Sequence, residues 1–293
     1  MNRAKVYILF PKTGLGNMLL VWAKGAVFAN LNNLPYTTSS WWGLHWGALV
    51  RRERKKRLYL GYFKETALWK QLLMKLHIKK NAAEHNPSVE IITGIKKNQK
   101  KSYIFDTVLT DTDVFGSIRN HREIVVAELN NILADKMKIR LAEYGTPLIG
   151  IHIRRGDFKI GNQTTPLEFF IKGIETIRAT VGKCLPVTVF TDADAHELVA
   201  LLSLPAITIA ENKPDILDIL LLSKSKVMLL SKSSTFGYWA AFLSDAIIIR
   251  PATDWQQVIR HSTAGSNYQE IKWQENDDFL TQNLITKLAT ISL

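Results

Sequence analysis

Between Leu148 and Arg250, short apolar runs alternate with helical patterns, and this alternation leaves the chain few folds to choose from. Leu148–Ile153, Pro186–Thr191, Ala206–Ile209, Lys226–Leu230 and Ala246–Arg250 read as strands, apolar on successive residues as in a sheet buried on both faces. Pro166–Val181, Asp194–Leu202, Pro214–Ser223 and Thr235–Leu243 read as helices, two of them opened by proline. Strands and helices in strict alternation predict an α/β fold with a parallel sheet covered on both faces. Ligands of such sheets sit beyond the carboxyl ends of the strands. The loops at 154–165, 191–194, 210–214 and 231–235 are therefore expected to share one rim.

The first half is less regular. Val6–Phe10 is an apolar run that ends in Pro-Lys-Thr-Gly-Leu-Gly-Asn, and a helical pattern follows to about Leu31, so strand, glycine turn and helix open a second α/β unit. Residues 35–65 are rich in aromatic residues and then in Arg and Lys. Helices of uneven quality are expected from 64 to 145 around a polar, Lys-rich stretch at 94–102, with the clearest pattern over Arg122–Tyr144. Gly145-Thr146-Pro147 breaks it, which places the domain boundary there: 1–145 and 146–293.

Charge sharpens this division. The 293 residues carry a net charge of +12; residues 1–145 hold 24 Lys and Arg against 11 Asp and Glu, whereas residues 146–293 hold 14 against 15. A half so basic is expected to meet something anionic, such as a membrane surface or an acidic acceptor. Apolar residues at 46% and charged residues at 22% exclude a disordered or fibrous chain. The single Cys184 excludes an intrachain disulfide and a thiolate metal cluster, and fits a reducing compartment. No run is long enough for a membrane span or an export signal, so the expected location is the cytoplasm or, peripherally, the inner face of a membrane.

Four places can carry chemistry. Ile151-His152-Ile153-Arg154-Arg155-Gly156-Asp157-Phe158 lies at the end of the first strand of the regular half. Alternation puts Ile149, Ile151 and Ile153 on one face and His152 and Arg154 on the other. Two arginines, a glycine and an aspartate there form a cationic corner; guanidinium grips phosphate oxygens in pairs and stays charged, and Asp157 can lock one arginine in place. Ser233, Ser234 and Thr235 precede a helix whose first N–H groups point at the same rim, a ready phosphate site or an ordinary cap. Asp192, in Thr191-Asp192-Ala193-Asp194, can accept hydrogen bonds from a guanine edge or ribose, while Asp194 suits a helix cap. Gly14, Gly16 and Asn17 form a turn that lets a backbone approach a ligand at a cleft between the halves.

Other patterns carry less. No His, Asp or Glu cluster has metal-ligand spacing, and Asp111-Thr112-Asp113 and Asp192-Ala193-Asp194 read as a turn and a cap. The basic segment Arg51–Arg57, with Trp46, Tyr59, Tyr62 and Phe63 nearby, suits a membrane surface, nucleic acid or simple solvation. No nucleic-acid module surrounds it, so nucleic acid is not an expected partner, although a basic nucleic-acid-binding protein stands as the alternative from another class.

Taken together, three blocks resemble the α-1,2-fucosyltransferases, glycosyltransferase family 11, and their relatives that form α-1,6 and protein O-fucose links. Gly14-Leu15-Gly16-Asn17 looks like the family's Gly-Leu-Gly-Asn-Gln block, with Met18 for Gln. Gly150 to Phe158 is similar to its His-x-Arg-Arg-Gly-Asp block. Ser233 to Ala241 looks like its Ser-Thr-Phe-Ser-Trp-Trp-Ala-Ala block, with Gly237-Tyr238 for Ser-Trp. The resemblance implies a GT-B fold, two Rossmann-like domains facing a cleft, with GDP-fucose on the second domain and a glycan or lipid-linked acceptor on the first. It implies inverting transfer of L-fucose, to O-2 of a galactoside, with no metal or other cofactor. Arg154 would then stabilise the departing diphosphate, supported by Arg155 and Asp157. His152, Asp192, Ser233, Ser234 and Thr235 would hold the donor, and Gly14, Gly16 and Asn17 would lie where donor and acceptor meet. Another linkage or another GDP-sugar is the nearer alternative.

Overall fold

The computed structural model describes residues 4–43, 58–80, 82–92, 101–108, 113–156, 158, 163–255, 257–263, 265–274, 285–286 and 288. Trp46, the basic run 51–57, Asp111 and Asp157, singled out above, lie outside the described residues. The chain divides into two compact units, Met1–Ile139 and Arg140–Leu293.

The first unit is built on β1 (Lys5–Ile8), α1 (Leu15–Leu31), β2 (Tyr36–Thr38), α2 (Leu68–Lys80), β3 (Ala82–His85), β4 (Lys101–Phe105) and α3 (Arg122–Ile132). Its strands pair in parallel in the order β2-β1-β4-β3. Helix α1 is apolar all round and buried along nearly its whole length, as a helix packed on several sides must be. Phe10, Trp41 and Phe63 stack in a row with ring centroids 4.0 Å apart at both contacts.

Two strands also lie within 64–145, where only helices around a Lys-rich stretch were expected: β3 and β4. β3 reads Ala-Ala-Glu-His and sits at the sheet edge with little burial, so it carries no apolar run to betray it. β4 has only Tyr103-Ile104-Phe105 as a buried core after its polar start. The pattern over 122–144 is likewise two helices, α3 and α4 (Asp135–Ala142), because Leu133 leaves the helix to bridge Phe63. Gly16 and Asn17 belong to the first turn of α1, with Gly14 as its N-cap.

The second unit follows the expected alternation: β5 (Ile149–Ile153), α5 (Leu167–Val181), β6 (Val187–Thr191), α6 (Val199–Leu202), β7 (Ile207–Ile209), α7 (Asp215–Leu222), β8 (Val227–Leu230), α8 (Thr235–Leu243) and β9 (Ile247–Pro251). A further strand, β10 (Gln269–Trp273), joins the edge, giving a parallel six-stranded sheet in the order β10-β9-β8-β5-β6-β7. This is the doubly wound order: the chain builds outward from β5 to β7, then crosses over to start again at β8. The two directions part between β5 and β8, the topological switch point where sheets of this kind bind ligands at the carboxyl ends of their strands. Ile149, Ile151 and Ile153 pack with Phe169, Phe170, Ile174 and Ile177 of α5 in one core.

The far side of this sheet holds a buried ionic network. Arg250, 1% exposed, lies 3.3 Å from Asp254 and 2.9 Å from Glu270. Burial pulls its pKa down, but the carboxylates of Glu270 and Asp254 more than restore it. Tyr268 donates to Glu270 at 2.6 Å, and Arg260 lies over the Tyr268 ring at 4.0 Å. Asp254 reaches back across the strands: it accepts the Tyr238 hydroxyl and, at 2.9 Å, the N–H of Ser233 in the loop after β8.

Two outcomes follow for stability. Asp254→Ala strips a partner from the buried Arg250 guanidinium and the acceptor from Ser233, and should lower unfolding free energy by about 3 kcal/mol or more; the urea midpoint measures it, with Asp254→Asn losing less. Burial also raises the pKa of Tyr7 to about 12 and those of Tyr238 and Tyr268 further, helped by Asp254 and Glu270 beside them. Unfolded tyrosine ionises near pH ~10. Their stabilisation is therefore whole below that pH and lost as pH rises above it, because the unfolded chain releases protons that the folded one retains. The urea midpoint should fall between about pH 9 and 11.

Candidate functional site

The switch point between β5 and β8 gathers most of the residues expected to act together. His152 pairs across the sheet with Phe190 on β6 and Leu230 on β8, and Ile153 with Thr191. The next residue, Arg154, leaves the strand at its carboxyl end. Its N–H donates to the Ser231 hydroxyl at 2.9 Å, and Ser231 N–H donates to the His152 carbonyl at 3.0 Å. These two bonds join the ends of β5 and β8 where the topology switches.

Asp192 fastens the corner from the other side. Its carboxylate lies 2.5 Å from the Arg154 guanidinium and accepts the Arg155 N–H at 2.7 Å. Asp192 thus locks Arg154 in place; Asp157, from which a lock was expected, lies outside the described residues. Gly156 explains how this is possible: a Cβ there would stand 2.5 Å from Asp192 Oδ2. Any other residue would push the carboxylate off. Arg154 is a quarter exposed, with Phe158 under its guanidinium at 5.6 Å, so it is braced but open to the rim. Arg155 differs: it is nearly buried and donates to the Thr165 carbonyl at 2.7 Å. Thr165 in turn accepts the Lys232 N–H at 3.0 Å, so the Arg155 guanidinium ties the 154–165 loop to the loop after β8.

The loop after β8 is the second half of the site. Ser233 stands at φ 55°, a left-handed conformation that an L side chain adopts only when held. Two groups hold it: its N–H donates to Asp254 at 2.9 Å and to the Tyr238 hydroxyl at 2.6 Å. Ser234 then takes the N-cap position of α8, but its side chain makes no capping bond. The plain capping role is therefore not what this hydroxyl performs, and the start of α8 is set by the Asp254–Tyr238 clamp instead. Sequence reasoning missed Asp254, Tyr238 and Arg250. The one available signal was Asp254 standing a few residues past the last regular strand, which gives no hint of its reach back to Ser233.

His152 is buried, stacked at 5.0 Å on Phe236 of α8, and a Cβ on Gly237 would come within 2.9 Å of its Nδ1. The glycine at 237 therefore makes room for the imidazole, and His152 joins β5 to the first turn of α8. Asp194, His196 and Glu197 come together on the next loop. This grouping was not expected from spacing; Asp194 and Glu197 form a reciprocal capping box, which accounts for their closeness. In the first unit, Gly14 ends the loop after β1, and the N–H of Leu15 donates to the Tyr59 hydroxyl at 2.9 Å.

A site of this form offers a partly exposed guanidinium after β5 and a helix N-terminus after the neighbouring strand β8, at a switch point. Both are positive, and neither needs to move to meet an anion.

No curated protein sequence matches the chain. Among solved structures, POFUT1 in complex with GDP-fucose is similar over 84% of this chain and 94% of that one, at 10% identity and a TM-score of 0.52. NodZ α-1,6-fucosyltransferase from Bradyrhizobium gives a TM-score of 0.49 at 14% identity, over 84% and 94% of the two chains. An FUT1 variant from Arabidopsis thaliana, in complex with GDP, gives 0.49 at 14%, over 86% and 71%. At such identities the POFUT1 likeness speaks to fold: two Rossmann-like α/β units with parallel sheets, the GT-B architecture. The family is shown by sequence, because the model of glycosyl transferase family 11 matches residues 97–275, from the end of the first unit through the switch point to β10. With more than half of its length matched, the chain belongs to glycosyl transferase family 11.

Proposed function

We propose that the chain transfers L-fucose from GDP-fucose, with inversion at the anomeric carbon, to a glycan hydroxyl, O-2 of a galactoside, on a surface glycan or its lipid-linked precursor. The observation that carries this reading is Arg154, braced by Asp192 beside the N-terminus of α8 at the switch point of the second sheet. The sugar nucleotides named with POFUT1 and NodZ, and the family itself, support GDP-fucose as the donor.

The donor's diphosphate lies against Arg154 and the Ser233–Thr235 turn, with the acceptor served by the first unit. The acceptor oxygen forms a bond to the anomeric carbon as the bond from that carbon to the diphosphate oxygen breaks. GDP leaves with the electron pair, and the proton of the acceptor hydroxyl is released to water. Charge grows on the diphosphate as it departs, and Arg154 and the α8 N–H groups are already aimed there, an effect worth several kcal/mol when such groups are fixed beforehand. These groups supply the counter-charge, so the reading needs no metal. Asp192 is unsuited as the base for the acceptor proton, because Arg154 and Arg155 already engage both its oxygens. His152 works from beneath, fixing α8 against β5 rather than facing the sugar.

Two measurements test this. A thermal-shift comparison of GDP, UDP and CMP should show stabilisation by GDP alone; a response to UDP instead sinks the donor assignment. Arg154→Ala should lower fucosyl transfer from GDP-fucose by roughly a hundredfold to a thousandfold. Its circular dichroism should stay unchanged, since the residue sits at a loop rather than in a core. Arg154→Lys keeps the charge without the paired geometry and should fall between.

A further inference from the structure

Helix α2 has two apolar faces, and only one is used. Met74 and Ile78 pack against Tyr7, Leu9 and Ile104 of the sheet, and the His77 ring meets Tyr7 at 5.8 Å. On the opposite side Leu68, Trp69, Leu72, Leu73 and Leu76 are between 54% and 75% exposed. At about 100° per residue these five fill an arc of about 140°, continuous and without a polar residue inside its first two turns. Isolated exposed leucines are ordinary, but a ridge of four with a tryptophan is not.

The borders of the ridge say what it meets. Lys70 and Lys75 stand at its two edges, and Lys79 and Lys80 close its carboxyl end. The helix contains no Asp or Glu. Lys70 lies 5.5 Å from the Trp69 ring, so its stem follows the apolar surface while the ammonium stays in water. A protein partner of ordinary composition does not call for cations on every side of an apolar ridge. A lipid surface does: acyl chains take the leucines, the interface takes the tryptophan, and anionic headgroups take the ring of ammonium groups. The excess positive charge of residues 1–145 points the same way. It also brings the catalyst to the layer where a lipid-linked acceptor resides.

We infer that α2 docks this chain on anionic membranes, lying flat in the interface with Leu68, Trp69, Leu72, Leu73 and Leu76 immersed and Lys70, Lys75, Lys79 and Lys80 on the headgroups. This inference is independent of which nucleotide sugar the site takes, and its test needs no turnover. The full chain is sedimented with phosphatidylcholine vesicles, with and without phosphatidylglycerol, and its oligomeric state is measured alongside by analytical ultracentrifugation. Binding should require the anionic lipid and weaken with salt. The double variant L72S/L76S, at exposed positions, should keep the wild-type circular dichroism and bind at least tenfold more weakly. K75Q/K79Q should weaken binding several-fold and flatten its salt dependence. The inference is overturned if the wild type ignores anionic vesicles or binds neutral ones equally, or if L72S/L76S binds unchanged. It is overturned equally if the wild type is a dimer that L72S/L76S converts to monomers, because a second copy then covers the ridge.

Discussion

One carboxylate, Asp192, sets the geometry at the carboxyl ends of β5 and β6 on which the rim of the second sheet depends. Its oxygens take the Arg154 guanidinium and the Arg155 N–H, and so it stitches the end of β6 to the end of β5. A free arginine at a loop would sample many rotamers and meet a diphosphate only after losing that freedom. Bound to Asp192 and backed by Phe158, Arg154 has already given it up. The same ion pair keeps the corner from being too attractive to any passing anion, since part of its charge is answered. Preorganisation of this kind favours charge that develops during reaction over charge that is merely present.

The opposite side of the switch point is held from much deeper. Arg250, Glu270 and Asp254 are buried together, and a buried charge is tolerable only when paired. Such networks are expensive to assemble and are poor sources of stability in themselves. Here the network has a use at its far end, because Asp254 and Tyr238 grip the N–H of Ser233 and force a left-handed turn into α8. The helix N-terminus is thereby aimed by residues from β9 and the loop beyond it. The charge and the turn are one device: the ionic cluster supplies the rigidity that a strained serine requires.

The first unit shows the same economy of elements put to a different end. Its sheet is narrow, and α2 closes it with only Met74, Ile78 and His77. A helix that needed only to cover the sheet would have been polar elsewhere. The leucines on its outer side reduce its amphipathic character, and the pattern over 64–80 reads as a weak helix for that reason: two apolar faces blur the period that one would show.

The alternation of strands and helices from Leu148 to Arg250 was largely legible in the chain, because most of these strands are buried runs rich in Ile, Val and Leu and two of the helices are opened by proline; the helix expected over Asp194–Leu202 instead begins as a 3-10 turn, Ala195–Leu198, and only Val199–Leu202 is α-helical. The cationic corner and the hydroxyl-rich turn were legible as places too, since their residue types are chemically unusual at strand ends; Asp192 was picked out there as an acceptor for guanine or ribose, whereas the structure shows it engaging Arg154 and Arg155. β2, β3, β4 and β10 were not: β2, β3 and β10 are edge strands of mixed residues that take their identity from the neighbour they pair with, and β4, although internal, offers only the short apolar run Tyr103-Ile104-Phe105 after a Lys-rich start. Local sequence thus determined the second sheet and the kinds of groups on its rim, along with the single cysteine and the basic first half. Only the tertiary structure decided which carboxylate locks Arg154, that Arg155 turns inward, and that Asp254 holds Ser233 from a distant loop. The reason is physical: hydrogen bonds and ion pairs join groups close in space, and nothing in the spacing of residues along the chain records how the strands between them are ordered.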